Sequence, residues 1–366
     1  MKQRLFVTLS LAGLAMATFG ATKPKTAIKS LNKTTIQQPT YTEWHDLQVN
    51  AINRFPLHTN FFTYPADDWV YEKDGKIVSK DILHMNKAES KYFLSLDGTW
   101  KFNWVANADQ RPTDFYKEDL DDSKWKTMNL PGIWEMDGFG DPEYVNVGFG
   151  WRGHFDQQPP AVPTKDNHVG SYRRIIDIPA NWDGKQVVAH FGSVTSNIYL
   201  YVNGKFAGYA EDSKVAAEFD ITPYLKKGKN LIAFQTFRWC DGSWDEDQDF
   251  WRLSGVARES YLFARDAQLH LEDIRVTPDL VNNYKDGVLN ISAKVKGTGK
   301  LNFILFDKEG KQVTTATGLA KNGTANITMN VENPHKWSAE TPYLYTLQVS
   351  LMGAQKKDAM KAASMT

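Results

Sequence analysis

This sequence contains almost no cysteine and no excess of charge of either sign. Cys240 is the only cysteine among 366 residues, which excludes an intramolecular disulfide and any cysteine-rich zinc or iron–sulfur site. Lysine plus arginine and aspartate plus glutamate each number 43. The net charge of zero gives no electrostatic reason to expect nucleic acid as a partner. The 8 histidines show no metal-ligand spacing with one another or with Cys240.

Long helical patterns, internal repeats and glycine-rich phosphate loops are also missing. No period of about 20–50 residues recurs, so we expect neither a propeller nor a solenoid. The best short helical candidates are Pro112–Glu118 and Thr222–Leu225. A helical bundle or a nucleotide-binding fold is therefore not expected.

One apolar run lies at the N-terminus, where Lys2 and Arg4 precede Leu5–Phe19. A basic start, a short apolar stretch and a small-residue site such as Ala15-Met16-Ala17 are typical of a secretory signal peptide. We predict a signal peptide over 1–21, a polar linker over 22–40 and export to a periplasm. No membrane association is expected after cleavage of the signal peptide.

Aromatic residues are abundant, with 20 Phe, 12 Trp and 15 Tyr. Short runs of alternating apolar and polar residues, bounded by Gly, Asn, Asp or Pro, predict strands throughout. Asn203-Gly204 predicts a type I′ hairpin turn, because both residues tolerate positive φ. The clearest predicted strands are Thr99–Trp104, Val187–Phe191, Ile198–Val202, Asn230–Phe237, Val288–Val295, Leu301–Phe306 and Tyr343–Leu351.

The fold class predicted from this pattern is all-β, with two sandwiches. Residues 41–265 are dense in Trp and Phe and carry long irregular inserts, which favours a jelly-roll β-sandwich. Residues 266–366 are poorer in aromatics, and short strands follow one another closely, which favours an immunoglobulin-like β-sandwich. We expect this second sandwich to be incomplete at its C-terminus, with an unpaired last strand.

The densest group of chemically active residues lies in Arg238–Gly255, RWCDGSWDEDQDFWRLSG. The alternating Asp245, Asp247 and Asp249 could form a calcium loop, but the glycine and the terminal glutamate of an EF-hand are missing. Two of the carboxylates could instead act as the acid and nucleophile of a glycosidase. The third interpretation is a solvated acidic loop. The interleaved aromatic residues argue against it, because such a mixture suits sugar rings and hydroxyls.

This stretch closely resembles the signature of the sugar-binding domain in glycoside hydrolase family 2 β-galactosidases. Several other segments resemble the same family, in the same order along the chain. They are Leu94–Trp104 (LSLDGTWKFNW), Pro131–Trp134 (PGIW), Asp141–Val147 (DPEYVNV), Val169–Arg173 (VGSYR), Phe191–Asp212 (FGSVTSNIYLYVNGKFAGYAED) and, at the end of the immunoglobulin-like domain, Glu332–Leu344 (ENPHKWSAETPYL).

The resemblance implies a retaining mechanism in which two glutamates, an acid/base and a nucleophile, lie on a third domain, a (β/α)₈ barrel. We expect that barrel, with the family's magnesium ligands, to lie outside these residues. The resemblance therefore assigns no catalytic residue here, and no catalytic pair within Asp245–Asp249.

Three positions correspond to the family's substrate contacts. The resemblance implies that Asn146 hydrogen-bonds the galactosyl unit, and that Asp249 contacts galactose hydroxyls and a sodium ion. Val147 would contribute through its backbone. An amide both donates and accepts hydrogen bonds, and a carboxylate offers hard oxygen to a cation, so both residue types suit these roles.

The expected function is the N-terminal part of an exported β-galactosidase acting on terminal β-D-galactose, with a β-galactoside or galactose-containing oligosaccharide as partner. Such an enzyme could assemble as a homo-oligomer. The alternatives are a stand-alone carbohydrate-binding module, an unrelated β-sandwich adhesion protein and, within the family, a β-glucuronidase or β-mannosidase relative. The Asp-Gln-Asp-Phe-Trp-Arg run and Asn146 favour the galactosidase.

Overall fold

A computed structural model describes residues 38–74, 76–79, 81–146, 158–246, 248–353 and 363–365 of the protein. One short α-helix, Ala66–Trp69, and a few 3-10 turns accompany the strands, and no described helix is long and apolar enough to cross a membrane. The predicted all-β fold is confirmed. The strands are β1 (Ala51–Ile52), β2 (Tyr64–Pro65), β3 (Val70–Lys73), β4 (Lys76–Ser79), β5 (Phe93–Ser95), β6 (Gly98–Val105), β7 (Lys126–Leu130), β8 (Gly132–Ile133), β9 (Glu143–Val145), β10 (Val169–Ile178), β11 (Gln186–Phe191), β12 (Val194–Thr195), β13 (Asn197–Val202), β14 (Lys205–Glu211), β15 (Ala217–Asp220), β16 (Gly228–Phe237), β17 (Phe250–Arg252), β18 (Gly255–Val256), β19 (Ser260–Arg265), β20 (His270–Val281), β21 (Asp286–Lys296), β22 (Gly299–Phe306), β23 (Gln312–Leu319), β24 (Thr324–Val331), β25 (Thr346–Gly353) and β26 (Ala363–Met365). The 3-10 turns are Glu43–His45, Lys87–Glu89, Ala108–Gln110, Glu135–Asp137, Ala180–Trp182, Thr222–Tyr224 and Asp241–Trp244.

The first sandwich is built on a seven-stranded antiparallel sheet in the order β1-β14-β13-β16-β10-β6-β7 and a four-stranded sheet in the order β15-β11-β19-β5. Strand β13 shows why both faces of the larger sheet are buried. Ile198 and Leu200 belong to the core cluster that includes residues of both sheets, whereas Tyr199 and Tyr201 belong to a second cluster with Trp44. Because successive side chains point to opposite faces, an unbroken apolar run fills two cores.

The predicted hairpin at Asn203-Gly204 is confirmed. Strands β13 and β14 pair through Val202 and Lys205, and the two turn residues have φ of 50° and 75°. These positive φ values at both central positions are those of a type I′ turn, which matches the twist of the strands.

The second sandwich packs the sheet β2-β26-β25-β22-β23 and the sheet β20-β21-β24 around a smaller core. Its core residues are mainly aliphatic, and Phe303 is its only fully buried aromatic side chain among the described residues. Along β22, buried positions alternate with more exposed ones, which is the pattern of strands with one face toward solvent.

The structure corrects two expectations, on the last strand and on Pro112–Glu118, and adds one observation on the second sandwich. Residues 363–365 form β26, which pairs with both β25 and β2, so the prediction of an unpaired last strand is wrong. Strand β2 and the packed ring of Phe61 belong to the second sandwich although they lie inside 41–265. Pro112–Glu118 is a series of turns and not a helix. The domain limits themselves remain a prediction.

Candidate functional site

Two of the three predicted galactose contacts, Asn146 and Asp249, lie on one short two-stranded ribbon. Strands β9 and β17 pair in antiparallel fashion, with Val145 opposite Phe250. Asn146 follows β9 and Asp249 precedes β17, so continuing the register by one position places these two residues opposite each other. Both side chains are exposed. The structure therefore brings together two residues that lie about a hundred positions apart in the chain.

A hydrogen bond fixes the Asp249 carboxylate on this ribbon. The hydroxyl of Tyr144 donates to Oδ1 of Asp249 at 2.5 Å. This bond to the carboxylate raises the pKa of the Tyr144 hydroxyl. Tyr144 thus remains a donor at neutral pH, and it orients the carboxylate from the neighbouring strand.

A buried arginine attaches the ribbon to the sandwich. Arg238 directly follows the central strand β16, and its backbone N–H donates to the carbonyl oxygen of His168 at 2.7 Å. Its Nη2 lies 3.2 Å from Oε2 of Glu143, the first residue of β9. Because Arg238 is buried and β16 lies in the middle of the sheet, the ion pair links the ribbon to the centre of the larger sheet.

The neighbouring backbone is held by a reciprocal pair of hydrogen bonds. The Asn167 side chain accepts from the backbone N–H of Trp239 at 2.9 Å and donates to its carbonyl oxygen at 3.0 Å.

Burial and the adjacent Arg238 guanidinium lower the pKa of His168. This histidine is therefore neutral at pH 7 and can pack on Trp104, with 4.8 Å between the ring centroids.

The other acidic residues of the loop have different surroundings. The Glu246 carboxylate accepts a hydrogen bond from the backbone N–H of Ser213 at 2.7 Å, which secures the loop after β14. Asp245 is exposed, and Asp247 and Val147 lie outside the described residues. Glu246 thus contacts the scaffold, whereas Asp249 faces solvent beside Asn146.

Asn146 and Asp249 match the requirements of a sodium ion in part. A carboxylate and an amide carbonyl both supply the hard oxygen atoms that such a cation prefers. The two side chains are exposed at adjacent positions of the ribbon, so they are accessible to a cation from solvent. The remaining ligands of a complete coordination shell would have to come from other groups.

A second group of possible metal ligands lies beneath the loop and was not predicted. Ligand atoms of Glu211, Cys240 and Asp241 lie within 4.8 Å of one another, and all three residues are buried. Burial, with the nearby Asp241 carboxylate, raises the pKa of Glu211 to about 8, and burial raises the pKa of the Cys240 thiol. Since Glu211 and Cys240 are protonated at neutral pH, this group is compact without carrying three negative charges.

Sequence reasoning missed Tyr144 and Trp251, which flank the two predicted contacts. Each lies two positions from a predicted residue, on the same strand or its extension. The period of two along a strand could have identified them once β9 and β17 were known to pair. That pairing could not be read from the sequence, because both strands have only three residues.

Two protein-family comparisons match almost adjacent parts of the chain. Residues 93–266 match the sugar binding domain of glycosyl hydrolases family 2, and residues 269–362 match a further domain of glycosyl hydrolases family 2. The chain is 36% identical over 327 residues to a β-galactosidase of Priestia megaterium, covering 86% of this chain and 30% of the relative. It is 31% identical over 322 residues to the β-galactosidase large subunit of Leuconostoc lactis, covering 84% of this chain and 49% of the relative.

Comparison with solved structures supports the same fold. The chain superposes on a β-glucuronidase of Bacteroides uniformis with a TM-score of 0.58 at 22% identity, covering 75% of this chain and 31% of that one. At this identity the likeness concerns the fold alone. The chain thus spans less than half the length of each of these relatives.

Proposed function

Because this chain belongs to glycoside hydrolase family 2, we propose that it forms the sugar-binding and immunoglobulin-like part of an exported β-galactosidase. The complete enzyme would remove terminal non-reducing β-D-galactose residues by a retaining mechanism. The observation that carries the proposal is the exposed pairing of Asn146 with Asp249 at the end of the β9–β17 ribbon. The signal-like N-terminus supports export, and a homo-oligomer of the complete enzyme is part of the proposal.

The role proposed for the ribbon is recognition of the galactosyl unit. The Asp249 carboxylate would accept from sugar hydroxyls and contribute to a sodium ion, while the Asn146 amide would donate and accept. Sodium, when bound, would supply a fixed positive charge for hydroxyl oxygens. Tyr144 would keep the carboxylate oriented through its hydrogen bond to Oδ1.

The acid/base and the nucleophile are proposed to lie on a barrel domain outside these 366 residues. The single α-helix in the described part of the chain, Ala66–Trp69, has 4 residues, so that part contains no (β/α)₈ barrel. We expect the purified 366-residue chain alone to hydrolyse no chromogenic β-galactoside. Turnover that is abolished by Glu246→Gln or Asp249→Asn would contradict this and would place a catalytic pair on the loop.

A β-glucuronidase is the second candidate, and the charge of the ribbon speaks against it. A glucuronide carries a carboxylate, and the exposed face at Asn146 presents the Asp249 carboxylate, whereas Arg252, the cationic residue of the two strands, is buried and pairs with Glu143. Like charges at short distance disfavour binding. A neutral galactosyl unit avoids that repulsion.

The test compares binding of a β-galactoside and the matching β-glucuronide to the chain, by calorimetry in sodium buffer. We expect the galactoside to bind more tightly. Asp249→Asn should weaken its binding roughly 10- to 100-fold, because a hydrogen bond to a charged group is lost. Glu246→Gln is the matched control, since it removes a charge from the same loop but keeps the oxygen that faces Ser213. Equal affinity of wild type and Asp249→Asn would overturn the proposal. Unchanged galactoside binding without turnover, even after fusion to a family 2 barrel, would instead favour a stand-alone binding module.

A further inference from the structure

The β9–β17 ribbon has one face on which four side chains lie together. Side chains alternate along a strand, so Tyr144 and Asn146 point to the same side. Trp251 is paired with Tyr144 across the ribbon, and Asp249 precedes it by two positions. All four side chains are exposed, whereas the intervening Val145 and Phe250 are only partly so. One face of the ribbon therefore carries two polar and two aromatic residues.

The two aromatic rings form a pair that is open to solvent. The side chains of Tyr144 and Trp251 are 52% and 54% exposed. Their ring centroids lie 5.5 Å apart, with an angle of 56° between the ring planes. Leaving two adjacent rings in water costs hydrophobic free energy, which a ligand stacked on them would recover.

The position of this pair relative to the polar residues suggests its ligand. Two residues along an extended strand span about 6.8 Å, so the backbone of Trp251 lies roughly one sugar unit from that of Asp249, while the Tyr144 hydroxyl reaches back to the Asp249 carboxylate. A sugar presents C–H groups on the face of its ring and hydroxyls at its edge. A flat aromatic surface beside hydrogen-bonding groups matches both parts.

We propose that Tyr144 and Trp251 form a platform for the second sugar ring, which is the ring linked to the galactosyl unit. The inference rests on the proposed function of Asn146 and Asp249 as galactosyl contacts. Trp251 would determine specificity for the linked group by stacking. Tyr144 would in addition act as a positioning residue, because its hydroxyl holds Oδ1 of Asp249.

The surroundings of the pair favour a sugar over a protein partner. A protein-docking patch has an apolar centre from which charged groups are largely missing. Here the rings are directly joined to a carboxylate by the Tyr144 hydrogen bond, and the amide of Asn146 follows Tyr144 on the same face. Aromatic rings and hydrogen-bonding groups are thus mixed over the exposed face of the ribbon, and no purely apolar centre is present there.

The test is saturation-transfer NMR on the full chain with lactose and with galactose, read separately for each sugar ring. In wild type we expect transfer to both rings of lactose. Trp251→Ala should remove at least half of the transfer to the glucose ring and leave that to the galactosyl ring nearly unchanged. Trp251→Tyr should restore it, because a ring is again present.

The control is Trp337→Ala, which removes a tryptophan that is 62% exposed on the second sandwich. It should leave transfer to both rings unchanged. Tyr144→Phe should weaken transfer to the galactosyl ring, since it keeps the aromatic ring but releases Asp249. A loss of transfer to the galactosyl ring in Tyr144→Phe, which retains the aromatic ring, would show that the hydroxyl acts by positioning Asp249 and not by stacking.

The outcomes distinguish this inference from the proposed function. Transfer to the galactosyl ring that depends on Asp249, with glucose-ring transfer equal in wild type and Trp251→Ala, would overturn the platform and leave the galactosyl site standing. No transfer to either ring in wild type would overturn both.

Discussion

The two sandwiches of this protein are both built from antiparallel sheets but fill their interiors differently. In the first sandwich, β11 and β13 are buried along their whole length, and all fully buried aromatic side chains of the described residues except Phe303 belong to this part. In the second, buried positions alternate with more exposed ones along β22, and β23 has no buried position. Both sandwiches also expose large side chains, such as Trp251 in the first and Trp337 in the second.

The aromatic side chains of the first sandwich help to bury both faces of its larger sheet. Its larger sheet is covered on one face by the smaller sheet and on the other by a cluster that includes Trp44 and Phe115. The ribbon with Asn146 and Asp249 is attached through Arg238 to this sheet, which is buried on both faces. The second sandwich has one covered face per sheet and carries no predicted site residue.

The largest expected effect is the loss of an aromatic side chain from the first core. Phe234 is fully buried and stacks on Tyr172, with 4.3 Å between the ring centroids. Phe234→Ala should lower the free energy of unfolding by about 3–5 kcal/mol, because it removes buried apolar surface and leaves a cavity. The loss in the free energy of unfolding is measured by urea denaturation. Trp337→Ala is the control and should cost less than about 0.5 kcal/mol. Equal losses in the two variants would contradict the comparison.

The next effect concerns a buried ionic network in the first sandwich. Glu218 on β15 accepts from His190 Nδ1 at 2.8 Å and from His58 Nε2 at 3.0 Å. Burial alone would raise the pKa of Glu218, but hydrogen bonds to His190 and His58 lower it from 4.5 to about 2. The hydrogen bond to Glu218, against the effect of burial, raises the pKa of His58. Both shifts favour the charged pair in the folded state.

The signs of these shifts define two pH windows. The lowered pKa of Glu218 stabilises the fold fully above about 4.5, and this stability, about 3 kcal/mol, is lost as the pH falls toward about 2. The raised pKa of His58 stabilises the fold below about 6.5, and that part is lost as the pH rises through the folded value.

Thermal unfolding of wild type and Glu218→Gln between pH 5 and pH 2 checks the acid window. The gap in Tm should narrow as the pH falls, because only wild type has a carboxylate to protonate. A difference in Tm that stays constant over this range would show that protonation of Glu218 does not cause the loss of stability. His58→Gln should flatten the loss of stability as the pH rises above about 6.5.

The smallest effect should be the same in both sandwiches. Each has an Asn-Gly turn, and Gly204 and Gly323 have φ of 75° and 78°. Replacing either glycine by alanine should cost about 1 kcal/mol, because a side chain strains the left-handed region. Chemical denaturation should find similar losses. A cost several times larger for Gly204→Ala would mean that the turn depends on its sandwich and not on local geometry.

Much of the fold could be predicted because alternation and turn residues are local. Strand β16 and the turn at Asn203-Gly204 follow directly from the residues that form them. Strand β2 could not be predicted, because two residues carry no period. The link between His58 and Glu218 joins positions 160 apart in the chain, and charged residues are normally expected on the surface.

The candidate site could be predicted only in part, because it depends on contacts between residues that are far apart in the chain. Asn146 and Asp249 were identified from a family resemblance, and the structure places them opposite each other, but their roles stay a prediction. Tyr144 and Trp251 became recognisable only through the pairing of β9 with β17. A contact between two short strands depends on tertiary packing, which local propensity does not encode.

The most direct measurement is the sodium dependence of galactose binding in wild type and Asp249→Asn, at constant ionic strength with choline as the replacing cation. Tm is recorded on the same samples. We predict that sodium tightens binding in wild type and has no effect in Asp249→Asn, while the Tm values stay within a few degrees. A sodium response that survives Asp249→Asn, or a loss of Tm without a loss of binding, would contradict the role assigned to this carboxylate.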